Sequence, residues 1–71
     1  MENINVKKIN VVPNQLAQIA VNGIIKFCME RESGAWGLYP IKGGMRGPRL
    51  AQDKHGADLI ERVECGEFEE F

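Results

Sequence analysis

The sequence predicts an α+β fold, with a small antiparallel sheet of three to four strands, one C-terminal helix and an acidic tail. Short segments that alternate apolar and polar residues, separated by turn residues, run through positions 4–41, and this pattern is typical of antiparallel strands. One helical apolar stripe follows near the end of the chain. With 71 residues, 44% of them hydrophobic, the chain suffices for one thin core.

The first two strands are predicted on either side of a turn at Pro13-Asn14. Residues 4–12 alternate apolar and polar side chains, and the alternation slips at Lys7-Lys8, which predicts a β-bulge there. Residues 16–21 form the second predicted strand. Residues 15–20 are also compatible with a short helix.

Asn22-Gly23 is the strongest hairpin signal in the chain, since a type I′ turn needs positive φ at both central residues. It predicts that a third strand, residues 24–30, turns back on the second. Another turn at 32–34 leads to a fourth strand at 35–41. Pro40 cannot donate to a ladder, so that strand is expected to end or lie at an edge there.

The rest of the chain is predicted as a loop followed by a helix. Residues 43–48 form the loop, and residues 57–63 have helical spacing with Gly66 as a C-cap residue. The apolar stripe of the helix consists of Leu59, Ile60 and Val63. The domain boundaries that follow are 1–66 for a single small α+β domain and 67–71 for an acidic aromatic tail.

Charge is sorted along the chain. Residues 1–54 carry eight basic and four acidic side chains, whereas residues 55–71 carry one basic and six acidic side chains, so the net charge of −1 hides a basic body and an acidic end. The densest basic stretch, residues 42–49, is also the richest in glycine. Such a loop can lie close to an extended polyanion, and this points to nucleic acid.

Five residues are predicted to bind nucleic acid. Four cations neutralise phosphates, and one tyrosine stacks on an unpaired base. They are Lys42, Arg46, Arg49, Lys54 and Tyr39. Trp36 is the other aromatic residue next to the loop, and as the only tryptophan it is expected in the core.

The tail interleaves Phe68 and Phe71 with glutamates, which makes both phenylalanines candidates for binding a protein partner. It is similar to the acidic C-terminal tips of bacterial single-stranded-DNA-binding proteins, which end in phenylalanine and recruit partners. The tail can instead fold back on the basic surface. A third alternative, which we prefer, is that the phenylalanines dock on the sheet or on a second subunit, because exposed phenylalanines favour association.

Enzymatic chemistry is not predicted. The single histidine and the two cysteines lack the paired spacing of a zinc site, and no acid–base or nucleophile–base pair stands out, so we expect neither catalysis nor a metal or cofactor. The N-terminus lacks the apolar run of a signal peptide, and no segment has the length that spans a bilayer. We therefore expect a cytoplasmic protein with no membrane contact, and its small size favours a homo-oligomer such as a dimer.

The chain resembles a known family in its strand and loop pattern. Residues 4–9 and 16–21 match the opening strands, residues 25–30 and 34–40 match a hairpin that ends in proline before basic residues, and the basic loop and helix follow. These features are similar to those of the stage V sporulation protein G family of septation regulators.

The resemblance covers residues 3–64 and implies a dimer formed partly through strands, with sequence-tolerant binding of DNA or RNA. Only Lys42, Arg46 and Arg49 carry over by position. The chain departs from the family in having a shorter, more glycine-rich segment after the hairpin and an acidic aromatic tail.

We therefore predict a small, non-catalytic regulatory protein that binds nucleic acid through its basic glycine-rich loop. One alternative is a protein-interaction module or inhibitor that uses the tail or an edge strand. Another is an oligomer that binds an anionic nucleotide. The pI of about 5.8 opposes the first interpretation unless the acidic end points away from the basic surface.

Overall fold

The computed structural model describes residues 5–68, which form a six-stranded antiparallel sheet with one helix on one face. The elements in chain order are β1 (Val6–Val12), β2 (Leu16–Val21), β3 (Ile24–Glu32), β4 (Ala35–Lys42), β5 (Met45–Arg46), β6 (Ala51–Asp53) and α1 (Gly56–Glu64). The α+β class with an antiparallel sheet is thus confirmed, but the predicted count of three to four strands is too low.

Strands β1 to β4 follow one another as a meander, and the two additional strands both pair with β4. β5 pairs with the last two residues of β4, and β6 pairs with residues 36–38. β5 lies in the segment predicted as a loop, and β6 lies between that loop and the predicted helix. Strands of two and three residues are too short to show an alternating pattern, which is why the sequence did not indicate them.

Tight turns join β2 to β3 and β4 to β5. Asn22 and Gly23 have φ of 54° and 85°, as the predicted type I′ hairpin requires. Gly43 and Gly44, predicted within a loop, have φ of 59° and 78° and close a second tight hairpin. The basic loop is therefore partly a hairpin.

The bulge predicted at Lys7-Lys8 is wrong in position. The pairing of β1 with β2 is regular from Val6 to Asn10 and shifts between Asn10 and Val12. The alternation of apolar and polar residues breaks at this point for another reason: Lys8, a polar residue, faces the helix side of the sheet. Its ammonium lies 5.5 Å from the centroid of the Trp36 ring. Residues 16–21 form a strand and not the alternative helix.

One row of paired residues defines the face of the sheet that the helix covers. Ala17, Met29 and Leu38 are neighbours across β2, β3 and β4, and each is fully buried. Leu59 and Val63, two of the three predicted stripe residues, pack from α1 onto this face, while Ile60 is half-buried. Trp36 is also half-buried against the core.

A second row defines the opposite face, which we call the open face. Ile9, Gln18, Cys28 and Tyr39 are neighbours across the four long strands. The helix and Phe68 belong to the core cluster on the other side, so within residues 5–68 no helix covers this face. β1 is an edge strand, and Ile9, Val11 and Val12 are 40%, 50% and 42% exposed along it.

Phe68 belongs to the core. Its ring makes an edge-on contact with Phe27 at 6.2 Å between centroids, it is 7% exposed, and the Arg62 guanidinium lies 5.2 Å from the ring. Phe68, which the sequence analysis placed in the tail, therefore packs into the core.

Replacing Phe68 tests its place in the core. We expect F68A to lower the free energy of unfolding by about 2–4 kcal/mol, because a buried ring is removed, and Phe68→Leu to lower it less. Urea denaturation measures the effect. The control is I24A, which removes an apolar side chain that is 61% exposed and should change stability by less than about 0.5 kcal/mol. An F68A variant as stable as the control would contradict a core role for Phe68.

Candidate nucleic-acid interface

The open face carries a group of polar and charged side chains on β3, β4 and the segment after them. We call Glu30, Glu32, Tyr39, Arg46 and Arg49 the arginine–tyrosine cluster. Period-two alternation places Glu30 and Glu32 on the same face of β3. The β4–β5 hairpin then brings Arg46 opposite Ile41, so Arg46 is a diagonal neighbour of Tyr39 on that face.

Arg46 reaches three side chains on the open face. Its guanidinium carbon lies 4.4 Å from the centroid of the Tyr39 ring, and Nη1 donates to Glu30 Oε1 at 2.7 Å. Nη2 donates to Cys28 Sγ at 3.4 Å. The hydrogen bond to Glu30, followed by that to Cys28, raises the pKa of Arg46, so the guanidinium keeps its charge.

Tyr39 and Arg49 share the second carboxylate. The Tyr39 hydroxyl donates to Glu32 Oε1 at 2.6 Å, and Arg49 Nη1 lies 3.9 Å from the same oxygen. The pKa of Tyr39 is raised, chiefly by this hydrogen bond and then by burial and the charge of Glu32, while Arg49 and Arg46 act in the opposite direction. The phenol is therefore a hydrogen-bond donor at neutral pH.

Gly37 provides the space for this arrangement. A Cβ at Gly37 would lie 2.8 Å from Glu32 Oε1, 3.1 Å from Tyr39 Cε1 and 3.2 Å from Arg49 Cδ. The three side chains therefore converge above a backbone that carries no side chain of its own. A larger residue at Gly37 would separate them.

Both ion pairs of the cluster are open to solvent. The side chains of Arg46 and Glu30 are each 40% exposed, and those of Arg49 and Glu32 are 48% and 40% exposed. Exposed pairs of this kind contribute about 0–1 kcal/mol each. A phosphate with comparable geometry can therefore replace either carboxylate at small cost, although the two glutamates cancel the formal charge of the two arginines.

Three of the five residues predicted to bind nucleic acid, Tyr39, Arg46 and Arg49, meet in the cluster. Lys42 lies beside the two arginines at the C-terminal end of β4, whereas Lys54 lies near the opposite end of that strand. Lys42 pairs with Met45, whereas Lys54 follows Asp53, the partner of Trp36. Six residues of strand separate these ends by about 20 Å.

Sequence reasoning missed Glu30 and Glu32 as members of the site. A signal was present, because the turn at 33–34 fixes the β3–β4 register and so places Cys28 opposite Tyr39. Counting outward from that turn also puts Glu30 and Glu32 on the face of Tyr39. The contact of Lys8 with Trp36 had no such signal, since it joins β1 to β4 across the core face.

The acidic helix lies on the side of the sheet away from the arginines. Asp58, Glu61 and Glu64 belong to α1, which packs on the core face. After the helix, Glu67 forms an ion pair with Arg62, and the hydrogen bonds from Arg62 lower the pKa of Glu67. The acidic side chains of α1 thus lie on the opposite side of the sheet from Arg46 and Arg49, although Lys8 and Arg31 also face the helix side.

The remaining sequence-based expectations concern the tail phenylalanines, a metal site and a membrane-spanning helix. Phe68 lies in the core, and Phe71 lies outside the described residues. Residues 5–68 contain no group of three histidine, cysteine, aspartate or glutamate side chains arranged to hold a metal ion. In the same range, no helix has the length and apolar character needed to cross a membrane.

Comparisons of the chain with protein-family models, with curated proteins and with solved structures find no significant match. The resemblance to the stage V sporulation protein G family therefore stays a prediction.

The Tyr39–Glu32 hydrogen bond predicts a titration behaviour. Its contribution to stability is fully present below the ordinary tyrosine pKa of 10.0 and is lost as the pH rises through the higher pKa of the folded state. We expect E32Q to lower the pKa of Tyr39. Because Tyr39 is the only tyrosine, tyrosinate absorbance during a pH titration reports it directly. E64Q, a helix variant on the other face, should leave the titration unchanged, and an E32Q curve that overlays wild type would refute the bond.

Proposed function

We propose that this protein binds nucleic acid without catalysis, through the arginine–tyrosine cluster on the open face, and acts as a small regulatory protein. The observation that supports this most is the convergence of Tyr39, Arg46 and Arg49 on one solvent-facing surface. The acids of α1 lie on the other side of the sheet, so they do not face a bound polyanion.

The side chains of the cluster suit this ligand. Arginine forms paired hydrogen bonds with phosphate and stacks on flat rings, which lysine does not do as well. In the free protein, weak carboxylate pairs hold Arg46 and Arg49 in place on the open face. Binding exchanges these carboxylates for phosphates, while Lys42 and Lys7 add long-range attraction.

Removing the two arginines tests the proposal. We expect R46Q/R49Q to lose most binding of labelled DNA in fluorescence-anisotropy titrations at low salt. The slope of log affinity against log salt should fall by roughly 0.7–0.9 for each phosphate that the variant no longer neutralises. Glutamine keeps much of the side-chain length, so Glu30 and Glu32 still have hydrogen-bond donors.

The matched control is R31Q, which removes one exposed arginine on β3 that faces the helix side as the cross-strand partner of Trp36. R31Q should bind nearly as well as wild type. Equal losses in R31Q and R46Q/R49Q would point to non-specific attraction. No binding by wild type at low salt would overturn the proposal.

The two glutamates of the cluster generate an opposite prediction. E30Q and E32Q each remove a negative charge that competes with phosphate for an arginine, so each should tighten DNA binding several-fold, on the order of 1 kcal/mol. The same anisotropy titration measures this gain. E61Q removes a charge from the exposed side of α1 and should have a smaller effect. Weaker binding in E30Q and E32Q would mean that the glutamates position the arginines for binding.

A second candidate function is binding of a protein partner at β1. This edge strand exposes Ile9, Val11 and Val12, and an exposed apolar edge strand can pair with a strand of another chain. Flat anisotropy traces for wild type at low salt would favour this candidate. The cytoplasmic location, the dimeric state and a partner-binding role of the tail stay predictions.

A further inference from the structure

A groove lies beside the arginine–tyrosine cluster, between the β4–β5 hairpin and residues 47–50. It has a volume of about 430 Å³. Its apolar lining comes from Pro40, Met45, Pro48 and Leu50, and the cations Lys42, Arg46 and Arg49 complete it together with Gly47. All of these residues lie in the described part of the chain, and none is acidic.

The groove exists because the outer partner of β4 is interrupted. β5 and β6 pair with opposite ends of β4, and the chain leaves the sheet between them. Two hydrogen bonds anchor the ends of this excursion, from Gly47 N to Pro40 O at 2.8 Å and from Leu50 N to Leu38 O at 2.7 Å. Pro48 and Arg49 are left exposed between the anchors.

Gly47 holds the excursion close to β4. A Cβ at this position would lie 2.9 Å from Cγ of Pro40, so the loop approaches the proline ring only because residue 47 has no side chain. Pro40 and Pro48 also restrict the backbone on either side. The two prolines and the close packing of Gly47 on Pro40 thus restrict the backbone of the groove, which favours a pre-formed site.

The groove is lined by apolar side chains and by cations, and a single ligand must contact both kinds. Met45 is 74% exposed, is the cross-strand partner of Lys42 and precedes Arg46 in the chain. An apolar ligand would make no use of the three cations, and an isolated phosphate would leave the apolar lining in water. A flat, largely apolar ring flanked by phosphates satisfies both.

We propose that this groove receives an unpaired base and that the ligand is single-stranded nucleic acid, with Lys42, Arg46 and Arg49 on the flanking phosphates. This inference rests on the proposed function. In a duplex the bases are stacked and paired, so they cannot enter a groove at the sheet edge without being flipped out. The Arg46 guanidinium covers one side of the Tyr39 ring, so the groove, and not that ring, offers the apolar surface for a base.

The experiment compares three labelled DNAs in anisotropy titrations: a short single strand, its duplex, and the same strand with abasic sites replacing the bases. The variant is M45S, with I24S as the matched control, since Ile24 is also an exposed apolar residue and lies at the separate β2–β3 hairpin. We expect wild type to prefer the single strand to the duplex by about tenfold or more. M45S should weaken binding of the base-bearing strand by about fivefold and leave the abasic strand and the duplex unchanged.

The outcomes separate this inference from the proposed function. Equal affinity for single strand and duplex, or equal weakening of the base-bearing and abasic strands in M45S, would overturn the inference and leave nucleic-acid binding intact. The inference would also be overturned, and nucleic-acid binding left intact, if R46Q/R49Q loses binding while M45S and I24S both match wild type. If wild type binds none of the three DNAs, the proposed function fails and the inference fails with it.

Discussion

The register between β3 and β4 is the constraint on which the rest of the structure depends. It pairs Met29 with Leu38 on one face and Cys28 with Tyr39 on the other. The first pair forms the floor on which the helix packs, and the second lies at the centre of the open face. A slip of one residue would exchange the two faces, burying Tyr39 and exposing Leu38. Core and candidate site are therefore two consequences of one hairpin.

The ion pairs of the cluster hold the arginines in place but are weak enough to leave them available to a ligand. Glu30 and Glu32 keep Arg46 and Arg49 on the open face, where free side chains of this length would sample many rotamers. Because the pairs are exposed, they are weak and exchangeable. The cost of this arrangement is a cluster with no excess charge, because two carboxylates balance two guanidinium groups. Attraction over longer distances must then come from lysines outside the cluster.

The sequence predicted the four long strands, the Asn22-Gly23 hairpin and the helix, because each has a periodic pattern or a turn with a specific backbone requirement. It did not predict β5 and β6, whose pairing depends on tertiary position along β4. In the candidate site, the local pattern of aromatic and basic residues singled out Tyr39, Arg46 and Arg49. It was not enough to separate Lys42 from Lys54, since their distance follows from which end of β4 each one approaches.

The glycines in and near the basic segment have a role that composition alone does not indicate. A glycine-rich stretch between cations is expected to be flexible, but two of the glycines near the site serve close packing instead. Gly37 lets Glu32, Tyr39 and Arg49 meet, and Gly47 lets the chain lie against Pro40. In both places a Cβ would lie within 3 Å of a neighbouring atom. The absence of a side chain at these two glycines thus determines the shape of the cluster and of the groove. A rigid surface of this kind binds its ligand with less loss of conformational entropy than a mobile loop would.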